Sequence, residues 1–124
     1  MIIPMLHFCD NCKEAIAMYE KAFDTKAENV YCSDDEEKIV DHAEMDIHGQ
    51  KIFLNDRFGN RDKSLDCAAR LIVTFPTAEE VLACYEKMKE GSRIIDPFEE
   101  APYSKFHGNF IDRFGVMWGF MVEA

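Results

Sequence analysis

The sequence predicts an α+β fold made of two tandem βαβββ modules. The order strand, helix and several strands occurs twice along the 124 residues. Residues 14–21 and 80–87 share Glu, Ala, Tyr, Glu and Lys at equivalent positions, at an offset of 66. The same offset carries Gly49 onto Gly115, and Phe53 onto Gly119. Two independent landmarks at one offset indicate a tandem duplication.

The length of the chain is typical of a single domain with its own core. We therefore expect one domain over residues 1–124. Within it, module 1 should span about residues 1–62 and module 2 about residues 67–124.

Module 1 begins with residues 2–9, whose apolar character predicts a buried strand. Asn11 predicts the N-cap of a helix, with Glu14 completing a capping box. The helix has one apolar stripe, which consists of Ala15, Ile16, Tyr19, Ala22 and Phe23. Residues 27–32 predict a weaker strand, and the acidic residues 33–37 predict a solvated loop.

Residues 42–55 predict a β-hairpin with a two-residue turn at His48 and Gly49, because glycine can adopt a positive φ. Apolar and polar residues alternate along both strands, as in half-buried strands. The predicted cross-strand pairs are Glu44 with Phe53, His42 with Asn55, and Asp46 with Lys51. One face of the hairpin is apolar and should pack under a helix. The other face carries an acid, an imidazole, an amide and an aromatic ring, so we expect any chemistry there.

Module 2 repeats the order of module 1. Residues 68–75 predict a second buried strand, and Thr77 with Glu80 predicts a second capping box. The apolar stripe predicted for this helix consists of Val81, Leu82, Tyr85 and Met88. Gly91 is predicted to end the helix.

The remaining segments are a linker and three strands. Residues 57–66 are polar and contain glycine, which indicates a linker between the modules. Short strands are predicted near residues 93–95 and 107–111, followed by a final strand over residues 116–122. In that final strand, Met117 and Met121 share a face with Gly119, while Trp118 and Phe120 should pack under the helix.

Composition excludes several classes of function. The net charge of −10 argues against nucleic acid or an anionic membrane as a partner, because both require a basic surface. We expect no signal peptide, since residues 1–4 contain no basic leader, and no segment approaches the apolar length of a membrane span. An odd count of five cysteines without such a signal indicates free thiols and a cytoplasmic location.

The duplicated βαβββ pattern resembles the vicinal oxygen chelate superfamily, which includes glyoxalase I, bleomycin-resistance proteins and extradiol dioxygenases. Within it, the chain is similar to the PhnB-like branch, sometimes labelled 3-demethylubiquinone methyltransferase-like. The matching segments are residues 4–8, Glu14-Ala15 with Tyr19, His42-Ala43-Glu44, Gly49 with residues 53–56, and residues 112–118. The resemblance implies strands that form a curled, cup-shaped mixed sheet, and a homodimer.

In the metal-dependent members of this superfamily, His, Gln or Glu ligands come from the first and last strands of each module. The resemblance carries those places onto Pro4, Phe53, an apolar residue near Leu71, and Gly119. None of these side chains offers a nitrogen, oxygen or sulfur ligand of the usual kind. No Gly-rich phosphate-binding or adenosyl-binding turn is present in the sequence either. We therefore expect no metal and no cofactor, and a cup that binds a small, partly apolar molecule.

Nine residues are candidates for binding that molecule: Leu6, Phe8, His42, Glu44, Phe53, Asn55, Tyr103, His107 and Met117. Three hypotheses remain open. The protein binds or sequesters its ligand; or it is a lyase, isomerase or transferase that uses Glu44 or His42 as acid or base; or it is a structural or regulatory dimer whose cup is filled by its own side chains. His7 is predicted to lie on the opposite strand face, away from the cup.

Cys9 and Cys12 have the spacing of a redox or zinc motif. Cys12 would lie in the first helical turn, where the helix dipole lowers the pKa of a thiol. However, no second cysteine pair completes a zinc site. We therefore favour the interpretation that both are small apolar side chains at a strand–helix junction.

Overall fold

The computed structural model describes residues 1–56 and 69–123. The chain divides into two compact units, Met1–Asp62 and Lys63–Ala124. In the part of the chain that the structure describes, each unit contains one strand, one helix and three further strands. The predicted α+β fold of two βαβββ modules is therefore confirmed. The predicted linker at 57–66 lies outside the described residues, and within the described ranges neither helix has the length and apolarity needed to cross a membrane.

Both modules have a four-stranded mixed sheet with the same strand order. In module 1 the elements are β1 (Met5–His7), α1 (Cys12–Phe23), β2 (Glu28–Tyr31), β3 (His42–Ile47) and β4 (Gln50–Asn55). In module 2 they are β5 (Leu71–Phe75), α2 (Ala78–Glu86), β6 (Arg93–Ala101), β7 (Ser104–Ile111) and β8 (Met117–Glu123). The sheet orders are β1-β4-β3-β2 and β5-β8-β7-β6, and only the β1–β4 and β5–β8 pairs are parallel.

The helix α1 buries its predicted apolar stripe, but the predicted capping box does not form. All five stripe residues are buried. Asn11 is the N-cap residue, yet its side chain accepts a hydrogen bond from the Cys9 N–H at 3.1 Å. The first turn is capped instead by Asp56, whose Oδ1 accepts from the Cys12 N–H at 2.8 Å. The cap is thus supplied by a residue 44 positions away, which a local sequence signature cannot reveal.

Asp56 also holds the segment that leads into β3. Its second oxygen, Oδ2, accepts from the Val40 N–H at 2.9 Å, and its own N–H donates to the Val40 carbonyl at 2.8 Å. One carboxylate therefore joins the start of α1, the end of β4 and the approach to β3.

The predicted hairpin is confirmed as β3 and β4. His48 and Gly49 both have positive φ, 50° and 87°, as a two-residue type I′ turn requires. Glu44 pairs with Phe53, and Asp46 pairs with Lys51, as predicted. The apolar face is buried throughout, and its residues are Ala43, Met45, Ile47, Ile52 and Leu54.

In α2 the predicted N-cap is confirmed, but the predicted apolar stripe is partly wrong. The Glu80 N–H donates to Thr77 Oγ1 at 3.2 Å. The buried residues are Val81, Cys84 and Met88, whereas Leu82 is 47% exposed. Residues spaced by three or four positions share a helix face, so Cys84 belongs with Val81 and Leu82 does not. The helix ends at Glu86, earlier than predicted, and Gly91 with φ 72° lies in the following turn.

The strands β6 and β7 are longer than the short strands that the sequence predicts. Pro97 lies within β6, which is an edge strand of its sheet. An edge strand can contain a proline, because the backbone N–H that proline lacks can be one that faces away from the neighbouring strand. The pairing of β6 with β7 contains several register shifts.

Each module also has an Asp-x-x-Gly turn at the repeat offset of 66. Asp46 is exposed, and its Oδ1 accepts from the Gly49 N–H at 2.8 Å. Asp112 is 1% exposed and accepts three hydrogen bonds, from the Phe114 N–H, the Val116 N–H and the Trp118 indole N–H, at 2.9, 3.1 and 2.9 Å. The aspartate of this turn is thus exposed in module 1, whereas in module 2 it is buried and holds the turn and Trp118 through hydrogen bonds.

Substituting Asp112→Ala should lower the free energy of unfolding by about 3 kcal/mol, because three donors lose a charged acceptor in a buried site. Asp46→Ala is the matched control at the equivalent, exposed position, and should cost less than about 1 kcal/mol. Urea denaturation followed by circular dichroism measures both values. Equal losses in the two variants would contradict the assigned role of Asp112.

Candidate functional site

The polar face of the β3–β4 hairpin carries the first group of candidate residues. His42 donates its Nε2–H to Glu44 Oε2 at 2.9 Å, and Lys51 Nζ lies 3.6 Å from Glu44 Oε1. The rings of His42 and Phe53 meet edge to face, with centroids 4.7 Å apart. The structure therefore brings His42, Glu44 and Phe53 together, as the sequence predicts.

The hydrogen bond from His42 lowers the pKa of Glu44 below its ordinary value of 4.5. Desolvation, the second-largest effect, raises this pKa, whereas a hydrogen bond from Asn29 and the charge of Lys51 lower it further. A general base working near neutrality would need a raised carboxyl pKa. Glu44 is therefore an ionised hydrogen-bond acceptor and does not have the raised pKa of a general base.

The parallel pairing of β1 with β4 corrects three expectations. Leu6 is paired with Leu54, so it shares the face that packs under α1, and Phe8 is 1% exposed and packs against Tyr19. Leu6 and Phe8 therefore do not line the polar face. His7, predicted to point away, lies on it, since it is paired with Asn55.

Asn55 is a buried part of this face with a different partner from the one predicted. Its Oδ1 accepts from His7 Nδ1–H at 2.7 Å. The pairs between β3 and β4 run from Ala43–Leu54 to Ile47–Gln50 and do not include His42 with Asn55. Asn55 thus orients His7 across the sheet. Met5 completes this face, because it is paired with Phe53 and is 38% exposed.

A cavity of about 350 Å³ opens beside Glu44, between the segment leading into β2 and the hairpin. Its lining residues are Thr25, Lys26, Glu28, Glu44, Met45, Asp46 and Lys51. Glu44 is the one predicted ligand-binding residue among them. Residues 25–28 carry no chemical motif, and only the pairing of Glu28 with Glu44 across β2 and β3 brings them to the site.

Module 2 holds the remaining candidates on its own sheet. His107 is paired with Met121, and Met117 with Ile111, so His107 and Met117 share a face with Gly119, while Trp118 and Phe120 are buried on the other. Tyr103 is 58% exposed, and its ring centroid lies 5.3 Å from that of His107. The structure brings Tyr103 and His107 together, whereas Met117 shares the face of His107 four positions further along the strand pair.

The cross-strand pairs reveal an equivalence between the modules that the sequence analysis missed. Asn109 is paired with Gly119, as Glu44 is paired with Phe53. His107 precedes Asn109 by two residues, as His42 precedes Glu44. The offset on this strand is 65 and not 66, because the turns before β4 and β8 differ in length. A comparison of residues 42–44 with residues 107–109, at an offset one residue shorter than that of the helices, would have revealed this equivalence from the sequence.

The residues present do not fit the metal site of the superfamily. The places that the sequence analysis assigned to Pro4 and to a residue near Leu71 fall on Met5 and Ile72, because the register puts Met5 beside Phe53 and Ile72 beside Gly119. None of these four side chains is a usual ligand of a divalent metal. Within residues 1–56 and 69–123, no three His, Cys, Asp or Glu side chains gather closely enough to hold a metal ion.

Cys12 does not have the lowered thiol pKa that a redox motif requires. Burial, together with the charge of Asp56, raises the pKa of Cys12 to about 12. Burial also raises the pKa of Cys84 to about 12. Desolvation therefore outweighs the helix dipole at Cys12, in agreement with a role as a small apolar side chain.

The sequence and structure are similar to known proteins over nearly their whole length. A family model described as 3-demethylubiquinone-9 3-methyltransferase matches residues 1–121. A PhnB protein from Bacillus cereus is 28% identical, with a TM-score of 0.84 and 98% of both chains covered. A search of curated proteins found no match.

Two more distant structures share the fold. One is a glyoxylase/bleomycin resistance protein/dioxygenase domain from Frankia, 18% identical, with a TM-score of 0.73 over 100% of this chain and 91% of that one. The other is the fosfomycin resistance protein FosX from Listeria monocytogenes, 14% identical, with a TM-score of 0.71 over 100% and 90%.

The pKa of Glu44 can be measured by a carbon-detected NMR titration of its side-chain carboxyl. We expect a midpoint below 4.5 in the wild type and a shift towards 4.5 in His42→Ala, which removes the largest cause. Because the folded pKa is depressed, the interaction stabilises the fold above about pH 4.5 and is lost as the pH falls through the folded pKa.

Asp34 is the internal control of this titration, since backbone N–H groups of Lys38 and Ile39 lower its pKa. Its midpoint should be the same in both proteins. An unchanged Glu44 midpoint in His42→Ala would contradict the assigned hydrogen bond.

Proposed function

Because the chain belongs to the 3-demethylubiquinone-9 3-methyltransferase family, the PhnB-like branch of the vicinal oxygen chelate superfamily, we propose that it binds a small molecule in a glyoxalase-like fold without a metal ion. The observation that carries this proposal is the ionised Glu44 at the edge of a 350 Å³ cavity in module 1. That volume is in the range of small-molecule sites.

The charges around the cavity favour a polar group of the ligand at this end. Glu44 keeps its carboxylate partly exposed, with 19% of its side chain accessible, and Lys51 lies beside it with 54% accessible. Lys26 lines the same cavity. A ligand can therefore donate to Glu44 and present an acceptor to a lysine at once.

An apolar surface adjoins this polar end. Phe53 lies directly opposite Glu44 on β4, and Met5 is the neighbour of Phe53 on β1. Both side chains are at least partly accessible. We infer that the ligand is amphipathic, with its polar group near Glu44 and its apolar part against Phe53 and Met5.

The fold by itself does not select an activity. The Frankia and Listeria structures are named for glyoxylase, bleomycin resistance, dioxygenase and fosfomycin resistance, which are different chemistries on one fold. The donor set of this chain favours metal-independent binding among them, since its residues at the superfamily's ligand places are Met5, Phe53, Ile72 and Gly119.

Native mass spectrometry of the full chain, with elemental analysis, is the first test of this proposal. We expect a co-purifying small molecule, no stoichiometric divalent ion, and a mass that also tests the predicted homodimer. Glu44→Gln and Phe53→Ala should each weaken binding of that molecule at least tenfold, because they remove a charged acceptor and an aromatic contact.

Glu79→Gln, on the exposed first turn of α2, is the control and should leave the affinity unchanged. Treatment with a chelator should also leave it unchanged. One tightly held divalent ion per chain, or loss of binding with the chelator, would contradict metal independence. Equal affinities for wild type and Glu44→Gln would contradict the placement of the ligand.

A second candidate function is a proton-transfer enzyme of the lyase, isomerase or transferase type, which the His42–Glu44 hydrogen bond favours. In such a dyad the ionised Glu44 would orient the imidazole, and the His42 ring would accept the proton. The lowered pKa of Glu44 makes it the orienting group and not the base.

Deuterium exchange separates the two candidates. If His42 removes a proton from carbon, the bound molecule should gain deuterium in D₂O with the wild type, and the gain should fall at least a hundredfold with His42→Ala. His48→Ala, in the hairpin turn, is the matched control and should exchange like the wild type. No exchange with the wild type would rule out the enzymatic candidate and leave the binding function standing.

A further inference from the structure

Asn109 on β7 has an unusual hydrogen-bonding state for a buried side chain. The residue is 2% exposed, and its Nδ2 donates to Asp96 Oδ2 at 2.7 Å. Because a carboxylate only accepts, this bond fixes which way the amide faces. Among the described side chains, Asn109 Oδ1 is the buried polar atom without a hydrogen-bond partner. A buried acceptor of this kind is costly, so it requires an explanation.

Gly119 leaves this oxygen uncovered by any side chain from β8. Gly119 pairs with Asn109 on one side and with Ile72 on the other, so the three residues form one row across β5, β8 and β7. A Cβ atom built on Gly119 would lie 2.7 Å from Asn109 Oδ1 and 2.6 Å from Ile72 Cδ1. The oxygen is therefore aimed at the space above the Gly119 backbone, where the end of the Ile72 side chain covers it.

Ile72 is a movable cover. The residue is 45% exposed, although it lies in the row beside Gly119. A change of rotamer at an exposed isoleucine displaces Cδ1 at little cost, since its side chain is not confined by packing. Met117 and Met121 occupy the same face of β8 and supply adaptable apolar surface around it.

We propose that the Asn109 carbonyl oxygen is a ligand acceptor in module 2, which takes a molecule with a hydroxyl or amide N–H donor beside an apolar group, with Ile72 moving aside on binding. Asn109 holds in module 2 the place that Glu44 holds in module 1. The two positions therefore differ in charge, and the neutral amide of Asn109 is suited to a neutral donor. This site does not depend on the function proposed for module 1.

Benzyl alcohol and benzyl methyl ether are suitable probes, because they share an aromatic ring and differ in whether they carry a donor. In ¹⁵N-detected NMR titrations of the full chain, benzyl alcohol should shift the amides of Ile72, Asn109 and Gly119. It should bind about tenfold more tightly than the ether, the preference expected of one hydrogen bond.

Asn109→Ala keeps the space and removes the acceptor, so the alcohol-to-ether preference should fall to about one. Ile72→Ala removes the cover and should strengthen binding of the alcohol several-fold. Gly119→Ala should abolish it, and if that variant does not fold, the other two still decide the question. Glu79→Gln, on the exposed first turn of α2, is the control and should leave the preference unchanged.

Three results would overturn the proposal: equal affinities of the two probes for the wild type, a preference that persists in Asn109→Ala, or shifts confined to amides outside this row. Arg70 provides a further check, because its Nε lies 3.7 Å from the same Cβ position. If the two probes bind the wild type equally and the alcohol is preferred only in Arg70→Ala, Arg70 holds the oxygen and the oxygen is not a ligand acceptor.

Discussion

Each module depends on the parallel pairing of its first strand with its last. In module 1 this pairing joins residues about 48 positions apart, as between His7 and Asn55. It adds β1 to the edge of the sheet, and it also decides which face every β1 side chain occupies, because a shift of one residue would exchange the two faces. The position of Met5 beside Phe53, and of Leu6 under α1, follows from this single register.

Two aspartates stabilise the modules through hydrogen bonds, each in a different place. Asp56 replaces the local helix cap of α1 and binds the approach to β3, whereas Asp112 is buried within the turn before β8 and anchors Trp118. Both act as charged acceptors for backbone N–H groups, which are strong interactions when shielded from water.

The two modules share one fold but carry different residues at equivalent positions of their sheets. Module 1 presents an ionised carboxylate, Glu44, opposite an aromatic ring, Phe53. Module 2 presents the neutral Asn109 opposite Gly119. The His-x-Glu and His-x-Asn strands remain equivalent in pairing although their sequence offset shifted by one. Divergence at two positions has thus produced an anionic acceptor in one module and a neutral acceptor in the other.

The sequence by itself determined the α+β class, the duplication, both helices and the hairpin with its Glu44–Phe53 pair, because all of these depend on local periodicity, turn chemistry and repetition. It could not place residues whose partners are distant in the chain. Leu6, Phe8 and His7 were assigned to the wrong faces, since a three-residue edge strand has no periodicity of its own and takes its register from β4. The lowered pKa of Glu44, the cap from Asp56 and the orphaned oxygen of Asn109 likewise arise from contacts between strands and loops, which only the tertiary structure decides.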